Sequence, residues 1–389
     1  MKGSIRQRSP GSFEIRIEMA PGPDGRRRQR SITIKANGRR EAQLALAKLL
    51  TEAADGELPE PSKTTLAQYL RHWADHHMTT QVDPRTVVSI GEKIANINSV
   101  LGGTPLTKLK PEAVNAAYAR LLANGRRDGK GGLSQRSVHH CHRILFQALG
   151  QAVKWKLLKS NPMLAVDAPA VAAVEMTTLT DDQLATALSA MQETRFLVPF
   201  LLGVMCGLRR GKICALKWKY VDLERGTLQV TASARQIKTE VTYKRPKDGK
   251  AGRSVELPPL VVEELRAHRR RQIEEQLKLG IRLGADSFVV AQPDGAPLKP
   301  SSLTNEWRRL SVKHRLPRIR FHDLRHTHAS QLLASGVHPK VAQERLGHST
   351  IAITLDLYSH MMPNTQADAA VAVDNRLRAA ISKRAKDGS

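Results

Sequence analysis

Phe13, Ile15, Ile17 and Met19 alternate with Glu14, Arg16 and Glu18. A period of two puts the apolar set on one face of a strand. Pro21-Gly22-Pro23-Asp24-Gly25 supplies a turn, and Arg30 to Lys35 reads as a returning strand. From Arg39 to Ala53 the spacing becomes helical. The first segment, residues 1–60, is therefore expected to be a small β-sheet plus a helix. Leu58-Pro59-Glu60-Pro61-Ser62 reads as a linker.

Residues 64–162 carry only helical periodicity, with candidate helices Leu66–Met78, Pro84–Leu101, Lys110–Asn124 and Ser134–Leu157. This is the pattern of an all-α domain. Asn161 to Val174 is rich in Pro and Ala and reads as a second linker. In residues 175–389, Thr180 with Gln183 forms a capping-box pattern, and Asp181 and Asp182 suit the positive end of a helix dipole. Phe196 to Met205 reads as a buried helix, and Gly226 to Leu257 as a short antiparallel sheet. The rest is helical apart from Phe288–Ala291. Gln366 to Arg384 is an amphipathic helix candidate. The third segment is α+β and mostly helical, and the chain as a whole is multidomain.

Charge narrows the partners. The 389 residues carry a formal net charge of +26. Residues 1–40 hold eleven Lys and Arg against three acids. A globular chain this basic is expected to meet a polyanion, with nucleic acid first among them, and a basic sheet of this size could lie in a DNA groove. Cys141, Cys206 and Cys214 are too few and odd in number for a disulfide framework. No apolar run is long enough for a bilayer, and Met1 to Pro10 lacks the apolar centre of a signal peptide. The reading is a cytoplasmic protein that shares its compartment with DNA.

Cutting a phosphodiester without metal needs a nucleophile, cations for the phosphate oxygens, and an acid for the departing ribose oxygen. Four local patterns supply such groups. They are Gly207-Leu208-Arg209-Arg210-Gly211, His322-Asp323-Leu324-Arg325, Leu346-Gly347-His348 and Leu357-Tyr358-Ser359-His360. Each is weak alone: a lone arginine is usually a surface charge, and a tyrosine is often a packed aromatic. In this order and with these gaps they resemble the tyrosine recombinase (phage integrase) family.

The resemblance implies roles position by position. Arg209 and Arg325 match two catalytic arginines, whose planar forks can each grip two phosphate oxygens. His322 matches the histidine three residues before the second arginine, and on a helix that spacing shares a face. His348 matches a later histidine that donates to the phosphate, and Tyr358 matches the nucleophile. The family acid is a lysine in a hairpin turn. Lys247 fits it best, since Arg253 and a strand into Leu257 follow at the usual distance, with Lys244 and Lys250 as rivals. The family's covalent intermediate stores the energy of the DNA bond, so no cofactor is expected.

The resemblance also implies an arm-type DNA-binding domain at 1–60, a helical core-binding domain at 64–162 and a catalytic domain at 175–389. Further implied partners are three more copies on two duplexes, a directionality factor and a host DNA-bending protein. No metal is expected: His322, His326 and His328 lack a plausible second half of a zinc site, as do His139, His140, Cys141 and His142. One position departs from the family: Lys212 stands where an acid is usual. An acid there would orient Arg209 or a neighbouring histidine, so either Glu240 or Asp323 substitutes for it or the site is poorly organised. In the second case Lys212→Glu is expected to speed cleavage. The rival functions are a type IB topoisomerase-like enzyme, which needs no second site, and a DNA-binding protein whose catalysis is lost.

Overall fold

The computed structural model describes residues 3–19, 28–54, 63–172, 176–244, 252–358, 370–371 and 373–381. They fall into two compact units that divide between Ala173 and Val174.

The first unit begins with an antiparallel sheet in the order β1 (Gly3–Ser9), β2 (Ser12–Met19) and β3 (Arg28–Lys35), followed by α1 (Arg39–Ala54). Ile15 pairs with Ile5 on one side and Ile32 on the other. The alternation of β2 places Phe13, Ile15 and Ile17 on the buried face, against Ala42, Ala53 and other α1 residues. Glu14, on the opposite face, is buried as well. Arg8 and Arg16 fold over it, with Arg8 Nη2 at 3.0 Å from Glu14 Oε1. The strong pair with Arg8 holds the Glu14 carboxyl below its ordinary range.

The rest of this unit is helical: α2 (Leu66–Trp73), a π-helical turn at Ala74–Met78, α3 (Thr79–Gln81), α4 (Pro84–Leu101), α5 (Pro111–Asn124) and α6 (Gln135–Lys154). Proline stands at the first turn of α4 and α5, where its missing N–H is not needed. Thr65 and Gln68 close a reciprocal cap on α2. One stripe from each helix builds a common core of Leu66, Leu70, Trp73, Ile97, Leu121 and Leu145 with their neighbours. Cys141 belongs to this core, and His142 meets Tyr118 Oη at 3.1 Å.

The second unit runs α7 (Asp181–Met191), α8 (Leu197–Val204), α9 (Arg210–Ile213), β4 (Val221–Asp222), β5 (Thr227–Val230), β6 (Ser233–Ile237), β7 (Glu240–Lys244), β8 (Arg253–Glu256), α10 (Pro259–Leu277), α11 (Pro300–Lys313), α12 (Asp323–Ala334), α13 (Pro339–Leu346) and α14 (Ile351–Tyr358). The Thr180–Gln183 capping box is formed. The single sheet expected between Gly226 and Leu257 is two. β4, β5 and β8 make one, and β6 with β7 a separate hairpin, because the chain leaves the ladder after Val230. Phe288 and Ala291 make only isolated bridges. α8 is buried on every side and lies at the centre, with Phe200 stacked on Trp307 of α11. Leu324 and Phe321 pack beside Gly203 of α8. Cys206 and Cys214 are small parts of this core. Residues 370–371 and 373–381 are helical, within the expected C-terminal helix.

Candidate active site

The turn after α8 sets the first arginine. Gly207 has φ +62°, a left-handed conformation costly for any side chain. A Cβ there would also press on His328 and Leu346. This sharp turn frees the Gly207 carbonyl, which accepts from Arg325 Nη1 at 2.6 Å. The first and second arginine segments, more than a hundred residues apart in sequence, are thereby joined by one hydrogen bond. Leu208 is buried and fixes the turn, and Arg209 caps α9 as a half-buried residue. Its neighbour Arg210 turns elsewhere, to Thr304 of α11 at 2.5 Å. Burial disfavours the Arg209 charge.

His322 precedes α12 and Arg325 lies in its first turn. The His322 ring is open to solvent on one side and meets His326 edge to face at 5.2 Å. Contact with the protein mass beneath it, and then the charges of His326, Arg325 and Arg209, hold its imidazole down at about 4. His348 is buried directly after the C-cap of α13. Its Nδ1 is 2.8 Å from Thr354 Oγ1 of α14, itself fully buried. Burial, then Arg325 and Arg209, hold His348 at about 4 as well. Both rings are therefore neutral near pH 7.

Gly347 makes the other left-handed turn, at φ +66°, and Arg253 Nη1 occupies the place a Cβ would need. That nitrogen donates to Glu344 O at 3.2 Å. The β8 strand is thus tied to the turn that presents His348. A second layer supports the first. His328, one turn after Arg325, accepts from Arg345 Nε at 3.1 Å, and Arg345 Nη2 reaches Met205 O at 3.2 Å.

Arg209, Arg325, His322 and His348, distant in sequence, thus converge on one positively charged cluster. Tyr358 ends α14, which packs on α12 and α13. Its side chain lies outside the described residues, as do Lys247 and Lys250. Sequence reasoning quoted Gly207 in a motif without a role of its own, weighed His328 only as a metal ligand and used Arg253 only as a spacing marker. It missed Arg345 and Thr354, whose local sequence does not separate them from ordinary core or surface positions. Neither candidate substitute acid orients Arg209. Asp323 is gripped by Arg320 at 2.7 Å, and Glu240 is exposed at a hairpin end. Among the described residues no His, Cys, Asp and Glu group could hold a metal ion, and no helix is long and apolar enough to cross a membrane.

Residues 177–365 match the Phage integrase family. The chain is 26% identical to the tyrosine recombinase XerC-like protein of Caldanaerobacter subterraneus subsp. tengcongensis, over 85% of this chain and 88% of that one. It is also 26% identical to the integrase of Mycobacterium phage L5, over 85% and 86% of the two chains. Its fold is similar to that of the Tn1549 transposon integrase in complex with a circular intermediate DNA. There the TM-score is 0.67 at 21% identity, covering 81% of this chain and 99% of that one. A lambda integrase dimer bound to a core site gives 0.57 at 18% identity, over 92% and 94%. The converging arginines and histidines, the fold and these likenesses lead to one conclusion: residues 177–365 belong to the tyrosine recombinase (phage integrase) family, site-specific recombinases that cleave and rejoin DNA strands.

Proposed function

We propose that this protein is an integrase that joins a mobile element to a chromosomal site, and excises it, through a 3′-phosphotyrosine formed on Tyr358. The observation that carries this reading is the convergence of Arg209, Arg325, His322 and His348, with Arg325 tied by a hydrogen bond to the turn that presents Arg209. A scissile phosphate brings negative charge to these cations. Arg209 and Arg325 hold its non-bridging oxygens as charge shifts onto them. His348 is neutral, so it donates only if the right nitrogen carries the proton. A Thr354 hydroxyl donating to Nδ1 leaves the proton on Nε2, free for the phosphate.

Tyr358 Oη then bonds to phosphorus while the bond from phosphorus to the 5′ oxygen breaks. The phenol releases a proton, and Lys247 gives one to the leaving oxygen, so the step balances. The 5′ hydroxyl of a partner duplex reverses the reaction and completes the exchange. Residues 1–60 act as the arm-type DNA-binding domain, 64–162 as the core-binding domain and 175–389 as the catalytic domain. Four protomers assemble on two duplexes in the cytoplasm, with a directionality factor and a DNA-bending protein setting direction.

A nicked core-site duplex, taken from the DNA that flanks the gene, tests the chemistry. The wild-type chain should leave a covalent adduct on a denaturing gel, and Tyr358→Phe should leave none while binding DNA normally. An adduct at normal yield in Tyr358→Phe excludes that nucleophile. Removal of residues 1–60 should flatten the fall of DNA affinity with salt, since fewer phosphates are neutralised. Equal slopes would show that this segment does not touch DNA.

A further inference from the structure

Two cations of the cluster have no part in the chemistry above. Lys212 is half-buried one turn after Arg209, and its amide donates to Arg209 O at 2.7 Å. Its position is fixed, because Gly211 lies so close to Ala234 O and Ser233 Oγ of β6 that even a Cβ would collide. The Lys212 ammonium has no hydrogen bond or ion pair among the described residues. Arg253 reaches in from β8. One of its nitrogens binds Glu344 O, while Nε and Nη2 are buried with no partner among the described residues.

Lys212 feels the charge of Arg253. Burial, and then Arg253, Arg209 and Arg325 in that order, push the Lys212 ammonium down to about 7. Burial, Arg209 and Arg345 push Arg253 down to about 10. Arg209 comes from the same helix as Lys212, Arg253 from β8 and Arg325 from α12. No carboxylate among the described residues offsets their effect on Lys212. Buried cationic donors without partners are costly. The side of a guanidinium that presents Nε and one Nη is also the fork that takes two oxygens of one anion.

We propose that Lys212 and Arg253 form an anion subsite beside Arg209 that takes a phosphate oxyanion, and that in the working complex this oxyanion belongs to the DNA backbone. The inference rests on reading the cluster as a phosphate-binding centre. It reverses the expectation that an acid would suit position 212. A glutamate there would pair with Arg253 and close the subsite, so Lys212→Glu should weaken DNA binding and slow cleavage.

The subsite carries a proton signature. In the free chain Lys212 is largely neutral above about pH 7. A bound oxyanion favours the ammonium, so binding takes up a proton and affinity falls as pH rises through that range. Full-length wild type, Lys212→Gln and Lys212→Arg are titrated with the core-site duplex, and separately with inorganic phosphate, between pH 7 and pH 9. Calorimetry in buffers of different ionisation heat counts the protons. For wild type the dissociation constant should rise by about tenfold more than for Lys212→Gln, with close to one proton taken up. Lys212→Arg should bind without this pH dependence, because its charge is permanent.

Identical pH profiles and proton counts in wild type and Lys212→Gln, with both probes, overturn the subsite. A Lys212-dependent effect with inorganic phosphate but not with the duplex overturns its assignment to DNA. Adduct formation by Tyr358 is scored separately. A chain that takes up the proton but never cleaves therefore fails the earlier reading and leaves the subsite standing.

Discussion

The helical layer of residues 64–166 and the unit that begins near residue 176 bury polar groups on different terms. In the first, the largest buried groups are apolar or neutral. Tyr69 Oη donates to Ala148 O at 2.5 Å, and Tyr118 meets His142. Its unpartnered buried atoms, Trp73 Nε1 and Asn98 Oδ1, are neutral. The second unit buries Arg325, His326, His328 and His348 and leaves two charged nitrogens of Arg253 without a partner. A neutral orphan costs about 1–3 kcal/mol, and a charged one costs more. One region is thus packed for stability, whereas the other holds unpaired positive charge in position before DNA arrives. Donors set in advance need no reorganisation during the reaction, which is what makes them effective.

Lys247 gives the largest expected effect, because it tests whether the charged region does chemistry. Lys247→Ala should slow cleavage by about 10²–10⁴-fold. A substrate with sulfur at the 5′ bridging position should recover most of the loss, since sulfur leaves without a proton. If Lys244→Ala or Lys250→Ala shows this rescue and Lys247→Ala does not, the acid has been misplaced by a few residues.

Leu70 tests the opposite pole. It is fully buried in the helical layer, and Leu70→Ala should cost about 2–5 kcal/mol. Hydrogen exchange followed segment by segment should confine the loss to residues 64–166. Adduct formation at saturating DNA should then survive at temperatures where the layer stays folded. A loss of protection spread evenly into α12 and α13 would break the contrast between the regions.

The same contrast decides what could be read from sequence. The helical layer was legible because its information is local. Period and proline give α4 its limits, Pro84–Leu101, as expected. The β-region was less so, since alternation does not reveal that the chain changes sheet after Val230. In the site, Arg209, His322, Arg325 and His348 stand out through order and spacing. Thr354, His328 and Arg345 do not, because their contribution is a contact with a residue far away in the chain. Glu14 shows the converse error: an acid in a polar strand position is buried because two arginines fold over it.

Acid should weaken the second unit more than the first. His328 is held down to about 3, by burial and then Arg345 and Arg325, and His348 to about 4. An unfolded histidine titrates near 6.5, so between that value and the folded one the unfolded chain binds more protons. Stability is therefore present above about pH 6.5 and is lost as pH falls. From pH 7 to pH 5 the loss should be about 2 kcal/mol for each of these two histidines. His140 and His142 push the helical layer the same way from smaller displacements. Segment-resolved hydrogen exchange at the two pH values measures both. Equal losses in the two regions would contradict the assignment of neutral, buried imidazoles to the second.

The smallest expected effect is the most discriminating. Arg253→Met removes a large, partly buried cation, and in an ordinary core such a change at a paired charge costs about 3–5 kcal/mol. Here the accounting differs. The free chain loses one hydrogen bond, to Glu344 O, worth about 1 kcal/mol. It is relieved of two buried donor nitrogens without partners among the described residues and of repulsion toward Lys212, Arg209 and Arg345. Methionine keeps most of the apolar stem and can settle against Gly347. The net change in the stability of the free protein should therefore lie within about 1 kcal/mol of zero. Thermal unfolding with and without inorganic phosphate separates the two roles of the residue. Wild type should gain stability from phosphate by mass action, and Arg253→Met should gain little. A loss above about 3 kcal/mol without phosphate would mean that Arg253 chiefly holds the turn before His348. The positive charge of this region would then belong to the fold as much as to the reaction.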